Sequence, residues 1–222
     1  MEQPYSMQNP AQSVLATNRV LRNTYLLLSM TLLFSAAMAF VAIRTNMAPF
    51  SPWIFLGGAF GLMFLTQALR NSAWGLLSVF ALTGFFGLTM GPIISLYVQA
   101  FSNGSEIVML AMGGTGIVFL AMSGIALTTK RDLSGMAQFL CMGLLVAFLA
   151  GIANIFLKIP ALGLAVSSVF VLLSSGLILW QTQAIVRGGE TNYISATVTL
   201  FVSIYNVFTG LLHILGFALG ED

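Results

Sequence analysis

Residues 71–105 read NSAWGLLSVFALTGFFGLTMGPIISLYVQAFSNGS, a stretch without a single formally charged residue. An α-helix needs ~20 apolar residues to cross the hydrocarbon core of a bilayer, so this stretch is long enough for one span and too short for two spans and a turn. Gly91 and Pro92 lie inside it, and a proline within a helix removes a backbone donor and crowds the preceding turn. We therefore predict a single long transmembrane helix that is kinked at Gly91 and Pro92.

The rest of the chain also consists mainly of long runs without a charged residue. Only 6 % of its residues are charged, whereas an ordinary soluble domain has roughly 25 % and needs them on its exposed helix faces. Strands of a membrane barrel would show ~10-residue segments of alternating polarity, which these long apolar runs do not. The sequence therefore predicts an all-α membrane protein, a bundle of seven transmembrane helices. The other six charge-free runs are 23–43, 45–69, 107–129, 133–157, 159–186 and 191–220.

The first 22 residues differ from the remainder. They are polar, contain Pro4 and Pro10, and show no helical period up to Thr17. Such composition cannot bury enough apolar surface to order a chain. We predict a disordered cytoplasmic tail over 1–22 and a seven-helix domain over 23–222. The predicted helices are Asn23–Ile43, Trp53–Leu69, Trp74–Tyr97, Ile107–Thr129, Gly135–Leu157, Ala161–Val186 and Tyr193–Leu219.

Lysine and arginine indicate the orientation. With the N-terminus in the cytoplasm, six of these residues lie inside and two outside, as the positive-inside rule requires. The C-terminus then lies on the outer side. The inner residues are Arg19, Arg22, Arg70, Lys130, Arg131 and Arg187, and the outer ones are Arg44 and Lys158.

Residues that could carry catalysis are nearly absent. The chain has one histidine, His213, and Ser203 lies ten residues before it. Ten helical residues span about 15 Å, too far for a Ser–His dyad on one helix. No Cys/His cluster with metal-ligand spacing occurs, and no basic stripe suggests nucleic acid. We expect no catalytic residue, metal or cofactor, and a protein that is not an enzyme.

Small and polar residues indicate how the helices pack. The pairs Gly57-xxx-Gly61 and Gly87-xxx-Gly91 allow close backbone approach between helices. In the last helix, polar or small residues recur every three or four positions and share one face that does not suit lipid. This helix should lie centrally, with the other six around it. The polar residues expected in the bundle interior are Asn154, Gln183, Asn206 and His213.

Several segments together resemble one family. The stretch Gly189 to Asn206, GETNYISATVTLFVSIYN, resembles the last-helix motif of the Bax inhibitor family. The resemblance covers nearly the whole chain and implies a seven-helix fold with the last helix in the centre. Further matches are NRVLRNTY at 18–25, GLMFLT at 61–66, GPI at 91–93, LTTK at 127–130 and ANIFL at 153–157.

The bacterial branch of this family looks closest, and its function is what the resemblance implies here. Its members modulate the FtsH membrane protease of the bacterial inner membrane and associate with FtsH and the HflK–HflC complex. They act as poor substrates that occupy the protease, and extraction begins at the cytoplasmic N-terminus. In this chain that segment starts with Met1, Glu2, Gln3, Pro4 and Tyr5.

Other members of the family imply an alternative function. They resemble pH-regulated calcium leaks gated by a pair of aspartates, one on each of the last two helices. The matching positions here are Gln181 and Ser203. Two close carboxylates work by sharing a proton, which neither Gln nor Ser can do. A proton- or calcium-permeable channel is therefore the alternative, and calcium conduction with pH gating is in doubt.

Overall fold

The structure is a computed structural model that describes residues 10–220, and within that range it contains seven α-helices and no strand. All seven are long and apolar enough to cross a membrane, α1 through its part Arg19–Arg44. The predicted seven-helix membrane bundle is thus confirmed. The helices are α1 (Pro10–Arg44), α2 (Pro52–Leu69), α3 (Trp74–Ala100), α4 (Gly104–Thr128), α5 (Met136–Leu157), α6 (Pro160–Val186) and α7 (Tyr193–Leu219).

The largest boundary difference concerns the first helix. α1 begins at Pro10 rather than at Asn23, so residues 10–22 belong to a helix and not to an extended tail. Proline suits the first helical position, because its fixed φ matches the helix and the missing N–H has no intrahelical acceptor there. The remainder of the predicted tail, including Met1 to Tyr5, lies outside the described residues.

α3 runs without interruption from Trp74 to Ala100 with Pro92 inside it. This confirms that the charge-free run 71–105 supplies one complete span, α3, and not two. Pro92 leaves the carbonyl of Leu88 without its usual helical donor. The kink at Gly91 and Pro92 stays a prediction.

Two asparagines fix the ends of α7. At its start, Asn192 Oδ1 accepts hydrogen bonds from the backbone N–H groups of Ile194 and Ser195, both at 3.0 Å. The same side chain donates to the carbonyl of Arg70, in the α2–α3 turn, at 3.1 Å. At the other end, Asn103 in the α3–α4 turn donates to the carbonyl of Leu219 at 2.7 Å. We call the two sides of the bundle its N-terminal end, where α1 and α7 begin, and its C-terminal end.

α7 is the central helix, as predicted. It packs against α1, α2, α3, α4 and α6, whereas no Cα atom of α5 lies within 8 Å of one in α7. Among the helices of residues 10–220, only α6 has Cα atoms within 8 Å of those of α5, so α7 is surrounded by five helices rather than six. Around α7 the core joins Leu28, Leu82 and Ile178 to Leu200 and Val207, all of them buried.

α1 and α3 meet along a seam of small residues. A Cβ atom at Gly91 would lie 2.5 Å from the carbonyl oxygen of Ala39, and one at Gly87 would collide with the backbone of Ser35. The predicted close approach is therefore present at Gly87-xxx-Gly91. It is wrong for Gly57 and Gly61, where an added Cβ would meet nothing within 4 Å.

The two glycine pairs give a matched test of this seam. Gly87→Ala should lower the free energy of unfolding by about 1–3 kcal/mol, because a rigid backbone must move to admit the methyl group. Gly61→Ala should leave it unchanged or raise it, since alanine favours helix and finds open space. The measurement is thermal unfolding of both variants in detergent micelles, followed by circular dichroism. Equal stabilities would contradict the seam.

Candidate functional site

Gln181 and Ser203, on α6 and α7, are both inside the bundle. Gln181 is 2 % exposed and Ser203 is 1 % exposed. The Ser203 hydroxyl donates to the carbonyl of Thr199 at 2.8 Å, within its own helix. The Gln181 amide nitrogen has no hydrogen-bond partner in the part of the chain that the structure describes. The Gln181 amide nitrogen therefore does not form a hydrogen bond with Ser203.

Other buried polar groups lie at the depth of Gln181. The hydroxyls of Thr24 and Ser123 are also buried without a partner among the described residues. Thr24 lies five residues after the start of its span, and Ser123 and Gln181 lie five residues before the ends of theirs. All three therefore lie about 7–8 Å of helix rise from the N-terminal end of the bundle. We call these three residues the neutral polar layer.

Contacts of Tyr25 show that the helices carrying this layer meet. Its hydroxyl lies 3.2 Å from the hydroxyl of Thr182, which follows Gln181 in α6. Its ring lies 5.9 Å from that of Phe119, one helical turn before Ser123 in α4. The layer thus sits where α1, α4 and α6 come together. The hydroxyl and amide groups of the neutral polar layer can donate and accept hydrogen bonds, but none of them titrates between pH 5 and 8.

Gln183 has a different role from Gln181. Its Oε1 accepts from the backbone N–H of Leu133 at 2.9 Å, and its Nε2 donates to the carbonyl of Arg131 at 2.7 Å. Arg187, one turn later, donates to the carbonyl of Lys130 at 2.7 Å. Gln183 is buried as expected. Its amide holds the α4–α5 turn against the end of α6.

Asp132 strengthens this turn. Ser134 donates to Asp132 Oδ1 from its hydroxyl at 2.6 Å and from its backbone N–H at 2.9 Å. These bonds, with a smaller contribution from Arg187, whose Nη1 is 3.7 Å away, hold the pKa of Asp132 below its usual value. Because a carboxylate with a lowered pKa stays ionised well below neutral pH, the turn keeps this ion pair throughout the physiological range.

His213 belongs to a second polar group, toward the C-terminal end. Its Nδ1 lies 2.7 Å from the hydroxyl of Ser167 on α6. A Cβ atom at Gly163 would lie 3.2 Å from the His213 ring and 3.1 Å from the Asn154 amide nitrogen. The structure therefore brings His213 and Asn154 together. The Asn154 side chain also accepts from the backbone N–H of Ile159 at 3.0 Å and so closes the α5–α6 turn.

Sequence reasoning missed Ser167. The search for a serine near His213 considered the last helix, whereas the partner lies on α6. The signal that could have found it is the pair of small residues Gly163 and Ser167, one turn apart, which lets α7 approach α6. A hydrolytic Ser–His pair also needs an orienting group and an oxyanion hole.

Within residues 10–220, no three His, Cys, Asp or Glu residues come close enough to hold a metal ion.

Comparison with known proteins identifies the family. The family described as "Inhibitor of apoptosis-promoting Bax1" matches residues 17–219. The chain belongs to this Bax inhibitor family. The resemblance in its last helix is thereby confirmed, together with the seven-helix architecture.

Bacterial relatives of the Bax inhibitor family match this chain from end to end. One is "Modulator of FtsH protease YccA" of Escherichia coli K12, which is 48 % identical over 98 % of this chain and 99 % of its own length. An uncharacterized protein of Pseudomonas aeruginosa is 45 % identical over 100 % of this chain and 99 % of its own. An "Uncharacterized membrane protein" of Vibrio cholerae is 41 % identical over 98 % of each chain.

Replacing each of the two glutamines of α6 with leucine should change the stability of the bundle in opposite directions. Gln181→Leu should raise the free energy of unfolding by about 1–3 kcal/mol, because it removes a buried amide nitrogen that has no hydrogen-bond partner among the described residues. Gln183→Leu should lower it by a similar amount, since Leu133 and Arg131 lose their side-chain partner. Thermal unfolding of both variants in micelles measures the two signs. A loss of stability in both would show that Gln181 has a partner after all.

Proposed function

We propose that this chain is an integral inner-membrane modulator of the FtsH protease and acts as a competing substrate that is degraded slowly. The observation that carries the proposal is the 48 % identity, over nearly the full length of both chains, to the Escherichia coli protein named as a modulator of that protease. A second relative of the same identity is named "Inner membrane protein YccA". The proposed role is non-enzymatic, and the proposed partners are FtsH, the HflK–HflC complex and the lipid bilayer.

The distribution of charge supports an orientation with the N-terminus in the cytoplasm. The N-terminal end of the bundle carries Arg70, Lys130, Arg131 and Arg187 in or next to its turns, and α1 adds Arg19 and Arg22. Arg44 and Lys158 lie at the other end. Short loops on the cytoplasmic side of a membrane carry an excess of Lys and Arg. This orientation presents residues 1–9, ahead of α1, to a cytoplasmic protease, and it leaves the C-terminus in the periplasm.

The packing of α1 offers a physical reason for slow turnover. A protease that pulls on the N-terminus applies force first to α1. That helix packs on α3 at backbone contact distance, with Gly87 against Ser35 and Gly91 against Ala39. It also packs on the central helix, α7. Extraction must therefore break the interfaces of α1 with α3 and α7 before any other helix moves, so the protease stays occupied for longer.

The proposal is tested by co-isolation and by competition in cells. A C-terminally tagged chain should retain FtsH when it is isolated from native membranes in mild detergent. Overproduction should lengthen the half-life of another membrane substrate of FtsH several-fold. Deleting residues 1–9 should leave the bundle folded and lengthen the half-life of the chain itself, because the protease loses the segment on which it pulls.

A matched control separates the length of the tail from its sequence. Replacing residues 1–9 with nine glycine and serine residues gives a flexible segment of the same number of residues. This variant should be degraded at the natural rate. If the deleted form is degraded as fast as the natural chain, the N-terminus is not where extraction begins. If FtsH fails to co-isolate and no competition occurs, the modulator function is wrong.

The alternative function, a proton- or calcium-permeable channel, follows from membership of the Bax inhibitor family. The residues at the positions of the aspartate pair argue against pH gating, because Gln181 and Ser203 cannot share a proton. In liposomes the natural chain should show no difference in dye-reported calcium influx between pH 6 and pH 8. The double variant Gln181→Asp, Ser203→Asp should acquire a coupled, pH-sensitive pair. Calcium influx through the natural chain that changes with pH would favour the channel.

A further inference from the structure

A cavity of about 550 Å³ lies inside the membrane-spanning part of the bundle, between α2, α3, α5, α6 and α7. This volume falls in the range of sites for small molecules, about 300–1,000 Å³. Aromatic rings form much of its wall. They are Phe55, Phe60, Phe86, Phe148, Phe170 and Tyr205.

The gap between α2 and α5, two helices that line the cavity, offers a route to it from lipid. No Cα atom of α2 lies within 8 Å of one in α5, so the two backbones leave a gap. Side chains alone bridge it. The rings of Phe60 and Phe148 meet edge to face with centroids 5.4 Å apart, and those of Trp53 and Phe156 lie 6.1 Å apart. Rotation of these side chains gives a membrane-soluble molecule access without any separation of packed helices.

Asn206 provides the polar contact in this cavity. Its side chain has no hydrogen-bond partner among the described residues, and it lines the cavity at the midpoint of α7. Other polar groups of the wall are engaged. The hydroxyl of Ser167 pairs with His213, and that of Thr209 donates to the carbonyl of Tyr205 at 2.9 Å. The Asn206 amide thus offers two donors and an acceptor to a molecule in the cavity.

The depth of Asn206 restricts the chemistry of such a molecule. Thirteen residues separate it from each end of α7, about 20 Å of helix rise. A charged phospholipid headgroup at this depth would be costly. No Lys, Arg, Asp or Glu lines the cavity. The group that meets Asn206 must therefore be neutral and must accept or donate a hydrogen bond.

The aromatic wall favours a flat ring. Phe55 and Tyr205 are nearly parallel, with an interplanar angle of 22° and centroids 6.4 Å apart. Phe86 stands perpendicular to Tyr205 at 4.5 Å. Planar ligands pack on such rings in offset-stacked or edge-to-face arrangements. A flexible apolar chain would gain from the area of this wall, but it would leave the Asn206 amide unpaired.

We propose that this cavity binds the ring of a lipid-soluble quinone, which enters from the bilayer between α2 and α5. One ring carbonyl accepts a hydrogen bond from the Asn206 amide, the ring packs against Phe86 and Tyr205, and the isoprenoid tail extends through the gap into lipid. The proposal concerns binding alone and involves no electron transfer. It is independent of the protease function, because no step of it requires FtsH.

The test uses the purified full chain in detergent with decylubiquinone as the probe. Decylubiquinone should raise the thermal unfolding midpoint in a saturable way. Decylbenzene, which has a ring and the same chain but no carbonyl, should give no saturable shift. Asn206→Leu should bind decylubiquinone at least tenfold more weakly. Its midpoint without ligand should equal or exceed that of the natural chain, since it loses only an unpaired amide.

A control variant lies in a second cavity, of about 320 Å³, which α1, α3, α4 and α7 enclose. Gly116 lines that cavity, and a Cβ atom there would meet nothing within 4 Å. Gly116→Leu should bind the quinone as the natural chain does. The proposal is overturned if decylubiquinone gives no saturable shift. It is also overturned if decylbenzene binds equally well, or if Asn206→Leu retains the natural affinity.

Discussion

The absence of water in the hydrocarbon core is the constraint on which this structure depends. Every backbone N–H and C=O group must be paired within the protein, so the chain crosses the bilayer only as helices. Burial of apolar surface does not drive these helices together once they lie in lipid, and close contact and hydrogen bonds must do so instead. Gly87 and Gly91 supply the close contact between α1 and α3. Hydroxyl and amide groups of α6 and α7, among them those of Gln181, Thr197 and Ser203, are buried in the interior.

The sequence predicts the helices well because charge and turn residues mark where hydrocarbon ends. The bounds of α7 agree with the prediction, since Asn192 caps one end and Gly220 follows the other. The start of α1 was missed. Arg19 and Arg22 end the apolar run, but basic residues are good helix formers and the helix continues past the bilayer to Pro10.

Contacts between helices were predicted less well, because spacing along one helix does not fix which face meets a neighbour. Gly57 and Gly61 have the spacing of a packing motif, yet they lie on the exposed side of α2. The bond between Ser167 and His213 depends on the register of α6 against α7. The difference between Gln181 and Gln183 arises in the same way. The two side chains point in different directions from α6. Gln183 therefore contacts the α4–α5 turn, whereas Gln181 contacts only the interior of the bundle.

The central position of α7 has a consequence for biosynthesis. The ribosome makes this helix last, although five of the other six helices pack on it. α1 and α3 can pair early through their glycine seam, whereas α4 and α6 must wait for α7 to complete their packing. A chain that terminates before Tyr193 therefore lacks the helix on which most of the others pack, and not merely a helix at the edge of the bundle. The fold is in this sense a check that translation has passed through α7, because only a chain that includes this helix can close the bundle.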